Sequence, residues 1–194
     1  MRDMVKPTIS LLVICFVVSL CLALVNSLTK DTIKQRAEND AEEQRMQVLS
    51  EAKSFKKIDN WKDKDESGLV REAYAAYDGE TLVGYVFSAY PKGYGGEIKV
   101  TVGVDEDRKI SGVRIGDNKE TPGLGSIVSD KDFLAQYSGD DIQKAFQVVK
   151  RSPKADNEIE AISGATISSK AVTNAVQASA ELGNKLFEDG GEVK

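Results

Sequence analysis

The chain contains no histidine. That removes the commonest general base near neutral pH and the commonest transition-metal ligand. Ser-His-Asp hydrolysis and histidine-bearing zinc sites are excluded with it. Cysteine is nearly absent too, since Cys15 and Cys21 both fall inside the first apolar stretch. The polar remainder therefore has no thiol for a disulfide, an iron–sulfur cluster or a CxxC redox pair. The two cysteines are six positions apart. In a helix they face different sides, do not pair, and read as apolar filler. There is also no excess of positive charge. The formal net charge is -5, spread along the chain, which gives no nucleic-acid footprint. With no thiol outside the apolar stretch and no histidine, any electron chemistry here needs an organic cofactor.

What is present begins with a long apolar run. From Pro7 to Thr29 no side chain is charged. About twenty apolar residues at 1.5 Å rise cross roughly 30 Å of hydrocarbon, so this segment predicts a single membrane span. Arg2 and Lys6 precede it, and Asp31 offsets Lys30 and Lys34 behind it. The charge bias places the N-terminus in the cytoplasm and the rest outside. A cleaved signal peptide is the competing reading, with Val25-Asn26-Ser27 as a passable small-residue site. The apolar core is longer than such peptides use.

The pattern divides the chain into residues 1–29 (cytoplasmic N-terminus and membrane helix), 30–55 (a stalk helix) and 56–194 (an extracytoplasmic domain). Ile33, Ala37, Ala41, Met46 and Leu49 recur near helical spacing in the stalk. The polar run Asp59 to Gly68 reads as a loop. Glu72–Tyr77 and Thr81–Ala89 read as strands joined by a turn at Asp78-Gly79-Glu80. Ile98–Val104 alternates, and a turn at Asp105–Arg108 leads to Ile110–Ile115. Ser129–Tyr137 reads as helix, Phe146–Val149 as strand, and Thr166–Leu186 as a last helix. The class expected is α+β: an antiparallel meander with helices packed on it.

Three segments have a composition suited to chemistry. Gly93-Tyr94-Gly95-Gly96 precedes a strand, where glycines make a loop and let another molecule approach closely. Glu120-Thr121-Pro122-Gly123-Leu124-Gly125 fits a type II turn, with Pro122 then Gly123 at its centre. A plain turn with Leu124 tucked into the core is the simple reading. An exposed Leu124 would instead pack on a flat ring. The third is Ile162-Ser163-Gly164-Ala165-Thr166-Ile167-Ser168-Ser169, at the start of the last helix. Ordinary capping, worth about 1 kcal/mol, explains hydroxyls there. The same unpaired N–H groups and partial positive charge also favour a phosphate, with Gly164 and Ala165 leaving room. A hydroxyl can be esterified by that phosphate, and physics leaves Ser163, Thr166, Ser168 and Ser169 all open.

In this order, the three segments resemble the FMN-binding domain family. That family includes the G subunit of the Rnf complex, an ion-translocating ferredoxin:NAD⁺ oxidoreductase, and the C subunit of the sodium-pumping NADH:quinone reductase. The likeness covers roughly Gly93 to Val176, and the apolar anchor fits it. It implies FMN attached by a phosphoester to Thr166, the last residue of Ser163-Gly164-Ala165-Thr166. It implies Glu120, Thr121, Gly123 and Leu124 against the flavin ring, with Tyr94 nearby. A flavin transferase would install the cofactor. The partners implied are other Rnf subunits, especially the D subunit and the A and E membrane subunits. Some relatives are expected to carry histidine before the Glu120-Thr121-Pro122-Gly123 stretch, where this chain has Lys119. The short chain looks more like the Rnf G subunit than the longer quinone-reductase C subunit. The equivalent flavin subunit of a sodium-pumping NADH:quinone reductase, a flavin-bearing membrane regulator and a flavin-free anchored scaffold are the competing readings.

Overall fold

A computed structural model describes residues 2–189. It divides into two compact units, Met1–Glu43 and Gln44–Lys194. Helix α1, Arg2–Val48, supplies the first unit and ends inside the second. Within the first unit Leu11, Leu12, Phe16, Leu20, Leu22 and Leu24 are all half or more exposed. Among the described residues this is the one helix long and apolar enough to cross a membrane. An apolar surface on every side suits hydrocarbon rather than water.

The helix stops at Val48, short of the expected 55. Ser54–Lys57 is instead strand β1, paired with β2 (Val70–Asp78). Three lysines in Lys53–Lys57 imitate a helix composition, yet lysine is also how an exposed sheet edge is protected. The second unit accordingly begins before residue 56.

Strands β1, β2, β3 (Thr81–Ala89), β4 (Val100–Asp105) and β5 (Ile110–Ile115) form an antiparallel meander in sequence order. Each hairpin has its chemical cause. Gly79 takes φ 64 in the two-residue loop between β2 and β3, as a hairpin turn matched to strand twist requires. Between β4 and β5, Asp105 Oδ1 accepts the Lys109 N–H at 2.9 Å and fixes the reversal. The expected loop at 59–68 is not wholly polar, because Trp61 is buried in the core just before a short 3-10 turn at Lys62–Lys64.

Both faces of the sheet are covered. On one, Tyr85, Phe87, Val100, Val102 and Val104 meet Val172, Val176 and Leu182 of helix α3, Thr166–Glu188. On the other, Val48, Leu49 and Ala52 meet Ala76, Val83 and Val86. The last turn of α1 sits close to a floor of glycines. A Cβ at Gly103 would lie 2.5 Å from the Val48 carbonyl oxygen, and one at Gly112 would lie 3.1 Å from Val48 Cα. Ser111 Oγ donates to the freed Val48 carbonyl at 2.6 Å, and Arg45 stacks over the Tyr74 ring at 4.3 Å. The helix end is thus capped by the sheet.

The helix expected over Ser129–Tyr137 is shorter. A 3-10 turn at Gly125–Ser129 precedes helix α2, Lys131–Ala135. Strand β6, Gln147–Val149, does not join the meander but pairs in parallel with β7, Glu158–Glu160. Arg151 grips Glu158 through two hydrogen bonds of 2.7 and 2.8 Å, and Glu158 also accepts the Lys154 N–H at 2.7 Å. These contacts fold the β6–β7 connection onto itself. They hold the Glu158 carboxyl down at about 2, with the Arg151 hydrogen bonds as the first cause.

Candidate functional site

Three loops meet beside the start of α3. The first is the tip Gly93–Gly96. The Gly93 N–H donates to the Gly96 carbonyl at 2.7 Å, and Lys92 bridges to Glu97 in antiparallel fashion. The tip is therefore a small hairpin that holds Tyr94 out at 72% exposure. The second is the turn at Thr121-Pro122-Gly123-Leu124. Gly123 takes φ 75 and the Leu124 N–H donates to the Thr121 carbonyl at 3.2 Å, the type II pattern expected from Pro-Gly. It presents Leu124 at 47% exposure rather than tucking it into the core.

The third is Ile162–Ala165, a turn closed by the Ala165 N–H to the Ile162 carbonyl at 3.0 Å, with Gly164 at φ 79. Helix α3 follows at once. Its first bond runs from the Ser169 N–H to the Ala165 carbonyl at 2.9 Å. The N–H groups of Thr166, Ile167 and Ser168 thus have no acceptor within the helix.

Between these loops lies a cleft of about 510 Å³, lined by Tyr94, Glu120, Thr121, Leu124, Gly125, Gly164, Ala165, Thr166, Ile167 and Ser168. That volume lies within the range for cofactor sites. Its mouth is apolar. Tyr94, Leu124 and Ile167 are the exposed large hydrophobic residues that the described second unit carries beyond Met46 of α1. Its floor is polar, and centres on Glu120, which is only 6% exposed. Glu120 Oε1 accepts the Gly95 N–H at 2.9 Å, and Oε2 accepts the Ser168 hydroxyl at 2.6 Å.

Of the residues expected from sequence, Tyr94, Glu120, Thr121, Leu124, Gly164, Ala165 and Thr166 are brought together here. Gly123 and Ser163 are not in the lining: they shape the two turns behind it. Ser168, one of the hydroxyls left open by the sequence, lines the cleft too, as do Gly125 and Ile167, which lie inside the chemistry-bearing segments but whose residue types do not mark them for binding. Lys119 is exposed outside the lining, and its carbonyl lies where a side chain at Gly95 would point.

The four hydroxyls differ. Ser168 is buried and committed to Glu120. Ser169 is fully buried, donates to the Ala165 carbonyl at 3.0 Å and accepts the Ile162 N–H at 3.1 Å. Ser163 is exposed but outside the lining. Thr166 is half-buried and lines the cleft. No cluster of three or more metal-ligating side chains occurs among the described residues.

Residues 93–181, which contain all three loops, match the FMN-binding domain family. The chain is 35% identical over 191 aligned residues to the G subunit of the Na(+)-translocating ferredoxin:NAD(+) oxidoreductase complex of Acetobacterium woodii, covering 93% of this chain and 92% of that one. This chain belongs to the same family. A second member, the G subunit of the proton-translocating ferredoxin:NAD(+) oxidoreductase complex of Clostridium ljungdahlii, is 34% identical over 174 residues and covers 90% and 88%. The crystal structure of Shewanella oneidensis NqrC superposes with a TM-score of 0.59 at 22% identity, over 78% of this chain and 99% of that one. At that identity the likeness shows a shared fold. The match to the FMN-binding domain begins at Gly93, so the glycine tip opens the family's own region.

Proposed function

We propose that this chain is the FMN-bearing electron-transfer subunit of a membrane-bound, ion-translocating ferredoxin:NAD⁺ oxidoreductase complex, with FMN bonded through its phosphate to Thr166. The observation that carries the site is the cleft itself. It joins an apolar mouth fit for a flat ring to a helix start with three N–H groups available for a phosphate. Full-length similarity to G subunits supports the assembly.

FMN would supply the electron carrying that no side chain in this domain offers. The chain's residues would do the rest. Thr166 Oγ1 would bear the ester, whose remaining negative charge faces the N–H groups of Thr166, Ile167 and Ser168. Leu124, Tyr94 and Ile167 would shield the ring from water. Outer-sphere electron transfer needs no proton carrier, which suits a histidine-free chain. A covalent tether also suits a domain outside the cell, where lost FMN could not readily be replaced. The two relatives are named for different ions at nearly equal identity, so the coupling ion is assigned to partner subunits. The described span offers no ionisable side chain for an ion path except its two thiols.

Intact mass decides the attachment. The chain, isolated from cells that contain a flavin transferase, should be heavier than its sequence by FMN minus water. Thr166→Ala should remove the whole increment. An unmodified mass in the parent chain would sink the redox reading. Covalent flavin persisting in Thr166→Ala would move the ester to another hydroxyl.

A further inference from the structure

The proposed electron transfer does not call for a buried acid, yet Glu120 is buried at the centre of the cleft. Its carboxyl ties the first two loops to the start of α3. It belongs to the second, accepts from Gly95 of the first, and accepts from Ser168 in the first turn of α3. Two glycines make room for it. A Cβ at Gly93 would lie 2.3 Å from Oε1, and one at Gly125 would lie 2.3 Å from Oε2. Side chains at either position would push the carboxyl away. Among the described residues it has no ion-pair partner, and the positive start of α3 is the charge it faces.

We propose that Glu120 is a positioning residue, which locks the Gly93–Gly96 tip and the 120–125 loop onto α3 and whose negative charge lowers the reduction potential of the flavin. The charge half rests on the flavin reading above; the locking half does not. Electron addition makes a ring more negative, and a carboxylate in the same cleft opposes that by Coulomb repulsion. Substitution with glutamine separates the two roles. Its carbonyl still accepts from Gly95, and its amide donates to the Ser168 oxygen, so shape and bonds persist while charge is lost.

The test uses the full chain, made with a flavin transferase and held in detergent, as E120Q and E120A. Amide exchange at Gly95 should speed up about tenfold in E120A, the effect of one lost hydrogen bond, and return to the parent rate in E120Q. Redox titration of the flavin absorbance should give E120Q a higher midpoint than the parent. Unchanged exchange in E120A overturns the locking role. A flavin-loaded E120Q with an equal or lower midpoint overturns the charge role while leaving the flavin reading intact. A parent chain without flavin overturns the flavin reading and the charge role together, and the exchange arm still decides the lock. Should E120A fail to fold, E120D replaces it. Aspartate keeps the charge but shortens the reach, so Gly95 should lose protection without any rise in midpoint.

Discussion

Thr166 and Ser168 are two positions apart, yet their hydroxyls have opposite fates. One borders open space, and the other is bound to a buried carboxylate. Helix geometry sets this, because residues two apart on a helix do not share a face. The hydroxyl-rich start of α3 is visible in sequence, and so is its fitness for phosphate. The partition among hydroxyls is not, because it depends on Glu120, 48 positions away along the chain. Leu124 is a second case. In sequence its simple reading is a plain turn with the side chain tucked into the core, and only the folded turn presents it at 47% exposure. Leu124→Ala should leave covalent flavin in place while making its fluorescence more quenchable by iodide, since the ester and the ring cover are separate contacts. Equal quenching in both proteins would remove Leu124 from the ring. Glu158 carries the clearest pH signature. Its folded value near 2 lies below the ordinary value of about 4.3. The folded state therefore binds fewer protons, and the stabilisation is fully present above that ordinary value. It fades as pH falls towards 2. Arg151→Ala should move the Glu158 titration upward in a carboxyl NMR experiment and flatten this part of acid unfolding.

Among the elements, β2 to β5 and α3 announce themselves through their periods, since the strands alternate and the helix repeats at helical spacing. Strands β1 and β7 do not. One is a lysine-rich edge strand of four residues, and the other has three residues, Glu158–Glu160. Neither is long enough for a period to emerge. Gly103 and Gly112 look like weak points in strands, but their reason lies in α1, whose end crosses them. Gly103→Ala should cost about 1–3 kcal/mol, since its Cβ would meet backbone that cannot swing aside. Chemical unfolding should show that loss, with faster amide exchange in Gln44–Leu49. Gly112→Ala, with a longer contact, should cost less.

For the molecule as a whole, the apolar half of α1 fits a single-pass anchor, and a carbonate wash of membranes should leave the chain in the pellet. From the charges flanking the span we propose a cytoplasmic N-terminus. In spheroplasts, external protease should remove residues beyond the span and spare the N-terminus. The opposite protection pattern would put the cleft on the cytoplasmic side and undo the argument for a tether against loss. The second unit alone should show no turnover of ferredoxin and NAD⁺ in a spectrophotometric assay, because the relatives named for that reaction are single subunits of a larger complex.

The unequal hydroxyls of α3 also carry a consequence for timing. Ser168 and Ser169 are withheld only while Glu120, Ile162 and Ala165 are in their folded places. A transferase meeting a nascent, unfolded chain would face four similar alcohols. Meeting the finished domain, it would face Thr166 on the cleft, with Ser168 buried and bonded to Glu120, Ser169 buried, and Ser163 outside the lining. Fidelity of the proposed modification is thus delegated to folding itself, and a chain matured too early would reveal this as flavin scattered over neighbouring serines.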